Sequence, residues 1–322
     1  MHIALTLVVN PDADAPLDKI VDGVKNAVSA PVTERILSAG KAVDLTFDFP
    51  HTLRTDDAQI PHTSRADSGQ SPHFSRTVFA HIPGLAGAID VRGLDWCLQP
   101  TEGRRKKLIL ADMDSTMITV ECIDELADFV GLKEKVAAIT EAAMRGELDF
   151  EGALTERVAL LKGLPLRDLE RCYSERIELM GGARTLVQTM KKAGATAVLV
   201  SGGFTFFTGR VAEAIGFDVH RSNVLEFDGD ALSGTVRKPI CGAQTKLDTL
   251  LEYKEKLGLE ASDILAVGDG ANDIPMIEGA GLGVAYHAKP KTQDAAAASV
   301  RHSDLTCLLY YQGYADSDFV TS

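Results

Sequence analysis

Lys107-Leu108-Ile109-Leu110-Ala111-Asp112-Met113-Asp114-Ser115-Thr116 is the stretch that decides the fold. Its first half is a short apolar run that reads as a buried strand. Its second half sets two carboxylates two residues apart, just past the strand end. Packing does not explain such a pair. The two groups either share a cation or are driven into different protonation states, and both situations belong to catalysis more often than to structure.

Working outward, three more apolar runs, 197–200, 264–267 and 282–285, read as strands parallel to the first. Helical stretches separate them, which predicts an α/β fold with a Rossmann-like parallel sheet. Three of the four runs end in polar or glycine-rich residues: Asp112, Ser201-Gly202-Gly203 and Gly268-Asp269-Gly270. Ligands of such sheets bind beyond the carboxyl ends of the strands, so these tails are expected at one site. Between the first two strands lies a mostly helical insertion, with helices expected over 121–129, 134–145 and 150–162. It is too long for a crossover helix and predicts a helical cap over 119–180. Residues 223–227 and 231–236, around Asp228-Gly229-Asp230, read as a β-hairpin near the same core.

Ahead of this lies a small α/β unit over residues 1–100. His2–Val9 alternates like a strand, 17–28 has helical spacing, and 43–49 alternates again. Residues 54–73, rich in Asp, Ser, Pro, Gln and His, read as a long loop, and 77–98 returns to the first unit. The catalytic core is then expected over 106–118 and 181–322.

With 322 residues, 45% of them apolar, the chain can build two domains. No apolar run approaches a membrane-spanning length. The first residues lack a basic segment followed by an apolar core, so secretion is not expected. Five scattered cysteines without a Cys-x-x-Cys fit the reducing cytoplasm and argue against a disulfide framework or a zinc site. The net charge of −13 disfavours nucleic acid and anionic membrane as partners. It also requires that a site for an anionic substrate build its own positive potential. The basic cluster Arg104-Arg105-Lys106-Lys107 reads as a solvated linker end.

Asp112 is the candidate nucleophile, since a carboxylate can attack phosphorus and split one hard step into two easier ones. Asp114 is the candidate acid/base, protonating the leaving alkoxide and later deprotonating water. A neighbouring carboxylate and a phosphate dianion both push its pKa upward, as that role needs. Alone, Asp112 reads equally well as a turn or helix cap. The second acidic cluster, Gly268-Asp269-Gly270-Ala271-Asn272-Asp273, shifts the balance. Asp269, Asp112 and a backbone carbonyl make an oxygen-only set that suits Mg²⁺. Ser201 and the glycines after it offer a hydroxyl and unobstructed N–H groups at an expected helix start. Lys246 opens a helix whose apolar face carries Leu247, Leu250 and Leu251. A cation there opposes the helix dipole, which a nearby phosphate and carboxylate would offset. Arg157 shares a face with Phe150, Leu154, Val158 and Leu161. It either snorkels to the edge or meets an anion such as a substrate carboxylate. Glu121 begins the first cap helix, where it complements the dipole or faces a substrate ammonium.

Asp-x-Asp-x-Thr, Ser201, Lys246 and Gly268-Asp269-x-x-Asn272-Asp273 together resemble the motif set of the haloacid dehalogenase-like phosphatases. Val120-Glu121-Cys122-Ile123-Asp124-Glu125-Leu126, Met144, Phe150 with Arg157, and Val200-Ser201-Gly202-Gly203-Phe204 resemble the phosphoserine phosphatase branch of that superfamily. The resemblance runs from about residue 106 to the C-terminus. It implies Asp112 as the phosphorylated nucleophile and Asp114 as acid/base. It implies Mg²⁺ held by Asp112, the Asp114 carbonyl and Asp269, and a phosphoryl group held by Ser201, Gly202 and Lys246. Glu121 would face the substrate ammonium and Arg157 its carboxylate, with Met144 and Phe150 lining the cap pocket. Asn272 and Asp273 would support the phosphate and the metal. The implied reaction is hydrolysis of O-phospho-L-serine, the last step of serine biosynthesis.

Some bacterial members of that branch carry ACT-like regulatory domains in the N-terminal third. Regulation by serine is not carried over, and a homodimer is left open. Three rivals stand beside this expectation: hydrolysis of another small phosphomonoester, phosphate transfer to an alcohol, and a non-catalytic binding protein.

Overall fold

The computed structural model describes residues 1–10, 12–13, 15–49, 72–144 and 147–321, without the side chains of residues 72, 73, 76, 143 and 144. The N-terminal part runs β1 (His2–Val9), α1 (Leu17–Ala27), β2 (Val32–Ser38), β3 (Ala42–Asp48), α2 (Pro72–His81), α3 (Leu85–Ile89) and β4 (Leu94–Pro100). β1 pairs antiparallel with both β3 and β4, so that Leu5 sits opposite Leu45 and Leu98. Ile20, Val21 and Val24 of α1 close the core with Val43, Leu45 and Phe47. Of the expected long loop, 54–71 lies outside the described residues, while Pro72 and His73 already belong to α2. β2 has no counterpart in the sequence reading. It is an edge strand with Glu34 and Arg35 in solvent and Ile36 65% exposed, so its pattern lacks apolar alternation.

The chain continues through β5 (Leu108–Ala111), the cap helices α4 (Cys122–Phe129), α5 (Lys133–Met144), α6 (Phe150–Leu160) and α7 (Leu166–Arg176), then α8 (Ala183–Lys192) and β6 (Thr196–Phe204). After α9 (Thr205–Ile215) come β7 (Val219–Asn223), β8 (Leu225–Asp228), β9 (Ala231–Val236) and α10 (Ala243–Leu257). β10 (Ile264–Gly268), α11 (Ile274–Gly279), β11 (Leu282–Tyr286), α12 (Pro290–Ala295), β12 (Ala298–Val300) and α13 (Cys307–Tyr311) complete it. All four expected core strands are present and parallel. Leu108, Ile109, Leu110 and Ala111 are fully buried, as an unbroken apolar run covered on both faces requires.

β12 meets β4 antiparallel at Ser299 and Trp96. This joins both halves into one ten-stranded sheet among the described residues, ordered β2-β3-β1-β4-β12-β11-β10-β5-β6-β7. Asp95 on β4 reinforces the joint by accepting the backbone N–H groups of Arg301, His302 and Ser303. The basic cluster belongs to the same joint and is not a solvated linker end. Arg105 and Lys107 are exposed, but Arg104 and Lys106 alternate with them into the interior. Arg104 grips Asp44 bidentately at 2.8 and 2.9 Å and donates to Thr6 Oγ1 and the Tyr311 carbonyl. Lys106 donates to the carbonyls of Gly103 and Ser262, and burial lowers its pKa to about 8. A charge run hides such alternation because composition does not say which side chains have partners.

The helical insertion is joined to the rest by two segments that pair with each other. Thr119 N–H donates to the Glu178 carbonyl and Met180 N–H to that of Met117, flanking an Ile118–Leu179 bridge. Leu154, Val158, Leu161, Leu169 and Cys172 of the cap join the main core cluster. β8 and β9 form the expected hairpin, and β9 lies against the cap. The five cysteines are free and buried.

Candidate active site

Four chain segments meet at the carboxyl end of the sheet. Asp112 follows β5, and its N–H still reaches back to the Val267 carbonyl of β10. Its Oδ1 accepts the Met113 N–H at 2.8 Å and lies 2.8 Å from the Lys246 ammonium. Lys246, in the first turn of α10, is fully buried and also donates to Asp273 Oδ1 at 2.5 Å. Asp273 in turn accepts the Gly270 N–H at 3.0 Å, which folds the 268–273 loop around it. Lys246 is therefore an interior cation between two carboxylates, not a surface lysine.

Asp114 is buried and fully engaged. Its Oδ1 accepts the Cys122 N–H at the start of α4 at 2.9 Å, and its Oδ2 accepts from Ser201 Oγ at 3.2 Å. Ser201 Oγ also accepts the Gly203 N–H at 2.8 Å. Ser201, Gly202 and Gly203 lie within β6, not at a helix start; α9 begins only at Thr205. The β6–β7 register shifts between Val200 and Phe204, so the triplet bows out of the ladder at the site.

Burial is the largest cause of the raised pKa values here. It lifts Asp112 well above the ordinary carboxylate range, with Asp273 adding to it and Lys246 opposing. It also lifts Asp114, against the hydrogen bonds from Cys122 and Ser201. Asp269 rises to about 6 through burial and the charge of Asp273. Burial alone would lower Lys246, but Asp112 and Asp273 overcome it and hold the ammonium charged. Carboxylate oxygens of Asp112, Asp269 and Asp273 lie within 4.8 Å of one another. This concentrated negative charge with an oxygen-only donor set fits a hard divalent cation. Thr116 Oγ1 donates to Asp269 Oδ1 at 3.4 Å.

The other candidate residues lie on the inserted helices and the segment leading into them. Glu121 occupies the N-cap of α4, but its side chain makes no capping bond; it accepts from Ser115 Oγ at 2.8 Å. Ser115 holds a left-handed φ of 54°, uncommon outside glycine, which turns its hydroxyl toward Glu121. Glu121 is exposed, yet the crowding of protein around it, then Asp114, raise its pKa to about 7. Arg157 neither reaches bulk solvent freely nor is fully buried. Burial lowers its pKa while Asp124, Glu121 and Asp114 pull it back up, which puts the guanidinium within the field of the site. The expected stripe splits: Leu154, Val158 and Leu161 are buried, and Arg157 and the 38% exposed Phe150 flank it. The Phe150 ring covers Gly202 and Gly242, where added Cβ atoms would lie 3.1 and 3.3 Å from it. Met144 ends α5, and its side chain lies outside the described residues. Asn272 is half-buried beside Asp273 in the loop after β10.

Asn223 is a residue the sequence reading missed. At the end of β7, its buried amide donates to the Gly202 carbonyl at 2.8 Å and to the Cys241 carbonyl at 3.2 Å. Its Oδ1 accepts the Cys241 N–H at 2.7 Å. It thus ties the Ser201 segment to the one leading into Lys246. A lone asparagine before a hairpin carries no local signal for this; only the meeting of three distant segments reveals it.

Residues 109–278 match the model of the haloacid dehalogenase-like hydrolase family. A phosphoserine phosphatase of Polaromonas sp. (strain JS666 / ATCC BAA-500) is 50% identical over 208 residues, 63% of this chain and 88% of that protein. A solved HAD family hydrolase of Salmonella enterica subsp. enterica serovar Typhi is similar over 97% of this chain and 98% of its own, with a TM-score of 0.76 at 27% identity. A phosphoserine phosphatase solved as a phospho-aspartyl intermediate analogue matches 64% of this chain and 99% of its own, with a TM-score of 0.60 at 38% identity. With the family model covering more than half of its residues and the motif residues assembled at one sheet end, the chain belongs to the haloacid dehalogenase-like hydrolases.

Proposed function

We infer that this enzyme is a Mg²⁺-dependent phosphoserine phosphatase that works through an aspartyl-phosphate. The observation that carries the reading is the pairing of a buried Asp112–Lys246–Asp273 centre with a cap carboxylate, Glu121, and a cap guanidinium, Arg157. With a divalent cation offsetting its carboxylates, the first would take a phosphate dianion, and the other two would face the ammonium and carboxylate of an amino acid. The 50% identity to a phosphoserine phosphatase supports the same substrate.

In this reading Ser201, the Gly202 backbone and Lys246 hold the phosphoryl group, with Asn272 alongside. An Asp112 carboxylate oxygen bonds to phosphorus as the bond to the serine oxygen breaks. The leaving alkoxide takes its proton from Asp114. The Cys122 N–H can only donate and keeps Oδ1 an acceptor, whereas the Ser201 hydroxyl beside Oδ2 can turn to accept, so the mobile proton is placed on Oδ2. Asp114, now ionised, then takes a proton from the water that attacks the aspartyl-phosphate and frees inorganic phosphate. Asp112, the Asp114 carbonyl and Asp269 would hold Mg²⁺, with Asp273 behind them. The ion supplies counter-charge to the phosphoryl oxygens. Met144 and Phe150 would line the pocket, and Phe150 already lies over Gly202. L-Serine as the product would put the enzyme at the end of serine biosynthesis. Five free cysteines favour a cytoplasmic setting. A division into residues 1–100, a core of 106–118 with 181–322, and a cap of 119–180 follows the same reading.

The test is a kcat/KM panel with Mg²⁺ that compares L-phosphoserine with phosphothreonine and with analogues lacking the amine or the carboxyl group. L-Phosphoserine is expected to lead by at least about 10-fold, the value of one charged hydrogen bond. A flat panel would leave only a general phosphatase. Partition of phosphate to added alcohol would favour the transferase alternative.

A further inference from the structure

Hairpin β8–β9 leaves and re-enters the core at the phosphoryl-binding segments, yet its outer edge is bonded to the cap. Both feet rest on Asn223. The first follows it directly, and the second returns through Cys241, which Asn223 holds along with Gly202. Arg237 N–H to the Val224 carbonyl, at 2.9 Å, closes the base. At the far end, β9 pairs with the loop between α6 and α7. Gly163 N–H donates to the Leu232 carbonyl, Leu232 N–H to that of Leu164, and Leu166 N–H to that of Asp230, each at 2.8 Å. Pro165 and Ala231 form the bridge between them.

Helix α6 closes the figure. Its first residues meet the core at the site, with Phe150 over Gly202 and Gly242 and Glu151 3.9 Å from Lys238. Its last turn meets the hairpin. At Gly234, φ is 84°, and an added Cβ would lie 2.8 Å from Lys162 Cβ. Eleven helical residues make a rod of roughly 16 Å. One end of that rod bears on the phosphoryl segments and the other on the strand pair those same segments support. The cap cannot lift at Phe150 without loading the hairpin bonds, and the hairpin cannot tilt without moving Asn223, Gly202 and Cys241.

We propose that β8–β9 is a strap that makes cap closure and assembly of the phosphoryl-binding segments a single coupled step. The proposal rests on the reading of Ser201, Gly202 and Lys246 as the phosphoryl site. Ligand that touches only those segments draws the cap down through the strap, and a cap drawn down by substrate sets Gly202 and Cys241 in place.

Inorganic phosphate is the probe, since it has neither the amine nor the carboxyl group that would engage the cap directly. Amide hydrogen exchange is measured with and without phosphate, in Mg²⁺, on the full chain. Leu166→Pro deletes the donor to Asp230 at the first position of α7, where proline is well tolerated. Leu166→Ala removes the same side chain but keeps that N–H. Gly234→Ala weakens the joint between β9 and the end of α6 at a different point, since its Cβ would press on Lys162 and its left-handed φ disfavours alanine. In the parent and in Leu166→Ala, phosphate is expected to slow exchange at 201–203 and 242–246, and also at 163–166 and 230–236. In Leu166→Pro and Gly234→Ala, protection at 201–203 should persist while that of the amides at 163 and 164, which every variant retains, falls at least about tenfold. Equal phosphate-induced protection of the 163 and 164 amides in all four proteins would overturn the strap. Failure of phosphate to protect 201–203 and 242–246 in the parent would instead overturn the phosphoryl site, and the strap with it.

Discussion

Lys246 Nζ lies 2.8 Å from Asp112 Oδ1, with both groups withdrawn from water and Asp273 on the other side of the ammonium. One cation therefore balances two carboxylates in a place almost closed to water. Removing it leaves buried charge uncompensated, which costs about 3–5 kcal/mol. Lys246→Met is expected to lose that much stability in urea at pH 7 in metal-free buffer, along with its activity. Adding Asp273→Asn should restore part of the stability and none of the turnover, because the phosphoryl clamp stays absent. Additive losses in the double variant would show that the two residues are not energetically coupled.

Asp112→Asn should separate stability from function. Burial and Asp273 raise the Asp112 pKa, so the folded state disfavours its charge. A raised carboxyl pKa means that the unfolded chain releases the proton first, and stability falls as pH rises above the usual carboxylate value. The neutral amide removes that loss, while Lys246 keeps Asp273. Metal-free Asp112→Asn is thus expected to be more stable than the parent by about 1–2 kcal/mol at pH 7. Turnover should fall by about 10⁴-fold or more, and rapid-quench labelling should find no phosphoenzyme.

Asn223→Ala removes the amide that spans Gly202 and Cys241 and leaves buried backbone groups unpaired. The expected destabilisation is about 2–3 kcal/mol. The functional signature is a KM for phosphomonoesters raised on the order of tenfold, whatever the rest of the substrate carries, since the defect lies in the phosphoryl segments. A KM change confined to L-phosphoserine would contradict that placement.

These three residues differ in how far the sequence announced them. Asp112 was legible because two carboxylates after a buried strand have no packing role, and Lys246 because a cation in a first helical turn needs an anion to excuse it. The central strands were legible as well, since burial on both faces forces continuous apolar runs. Asn223 was invisible because its role exists only where β6, β7 and the approach to α10 meet. β2 escaped because an exposed edge strand carries no apolar alternation. Arg104 and Lys106 were misread because a run of like charge resembles a solvated surface until Asp44 and the Ser262 carbonyl appear opposite it.

Lys106 makes a pH prediction that does not involve the site. Burial lowers its pKa from the usual 10.5 to about 8. Between those values the unfolded chain binds more protons than the folded one, so stability rises with pH across that window. The stability difference between the parent and Lys106→Met should therefore shift in favour of the parent from pH 8 to 10.5. The shift is at most about 3 kcal/mol. Equilibrium unfolding of both proteins across that range tests it, and a pH-independent difference would mean that the ammonium is not desolvated.

Glu121 and Arg157 should divide substrate recognition between amine and carboxylate. Arg157→Ala is expected to lower kcat/KM for L-phosphoserine by about 10–100-fold, the value of a charge-assisted contact, and to leave an aryl phosphate within about threefold. Glu121→Gln should do the same for substrates that carry an ammonium and little for the analogue without one. Glu121 also adds a pH signature. Its pKa of about 7 in the free enzyme means that it is increasingly protonated below neutrality, and only the ionised form attracts an ammonium. The ratio of kcat/KM for L-phosphoserine to that for the amine-free analogue should therefore climb as pH rises toward 7 and level off above it. Taking the ratio cancels ionisations that both substrates share, such as those of Asp112 and Asp114. In Glu121→Gln the ratio should lose that climb. A climb that survives in the variant would assign the ammonium to another carboxylate, with Asp124, one turn along α4, the first to test.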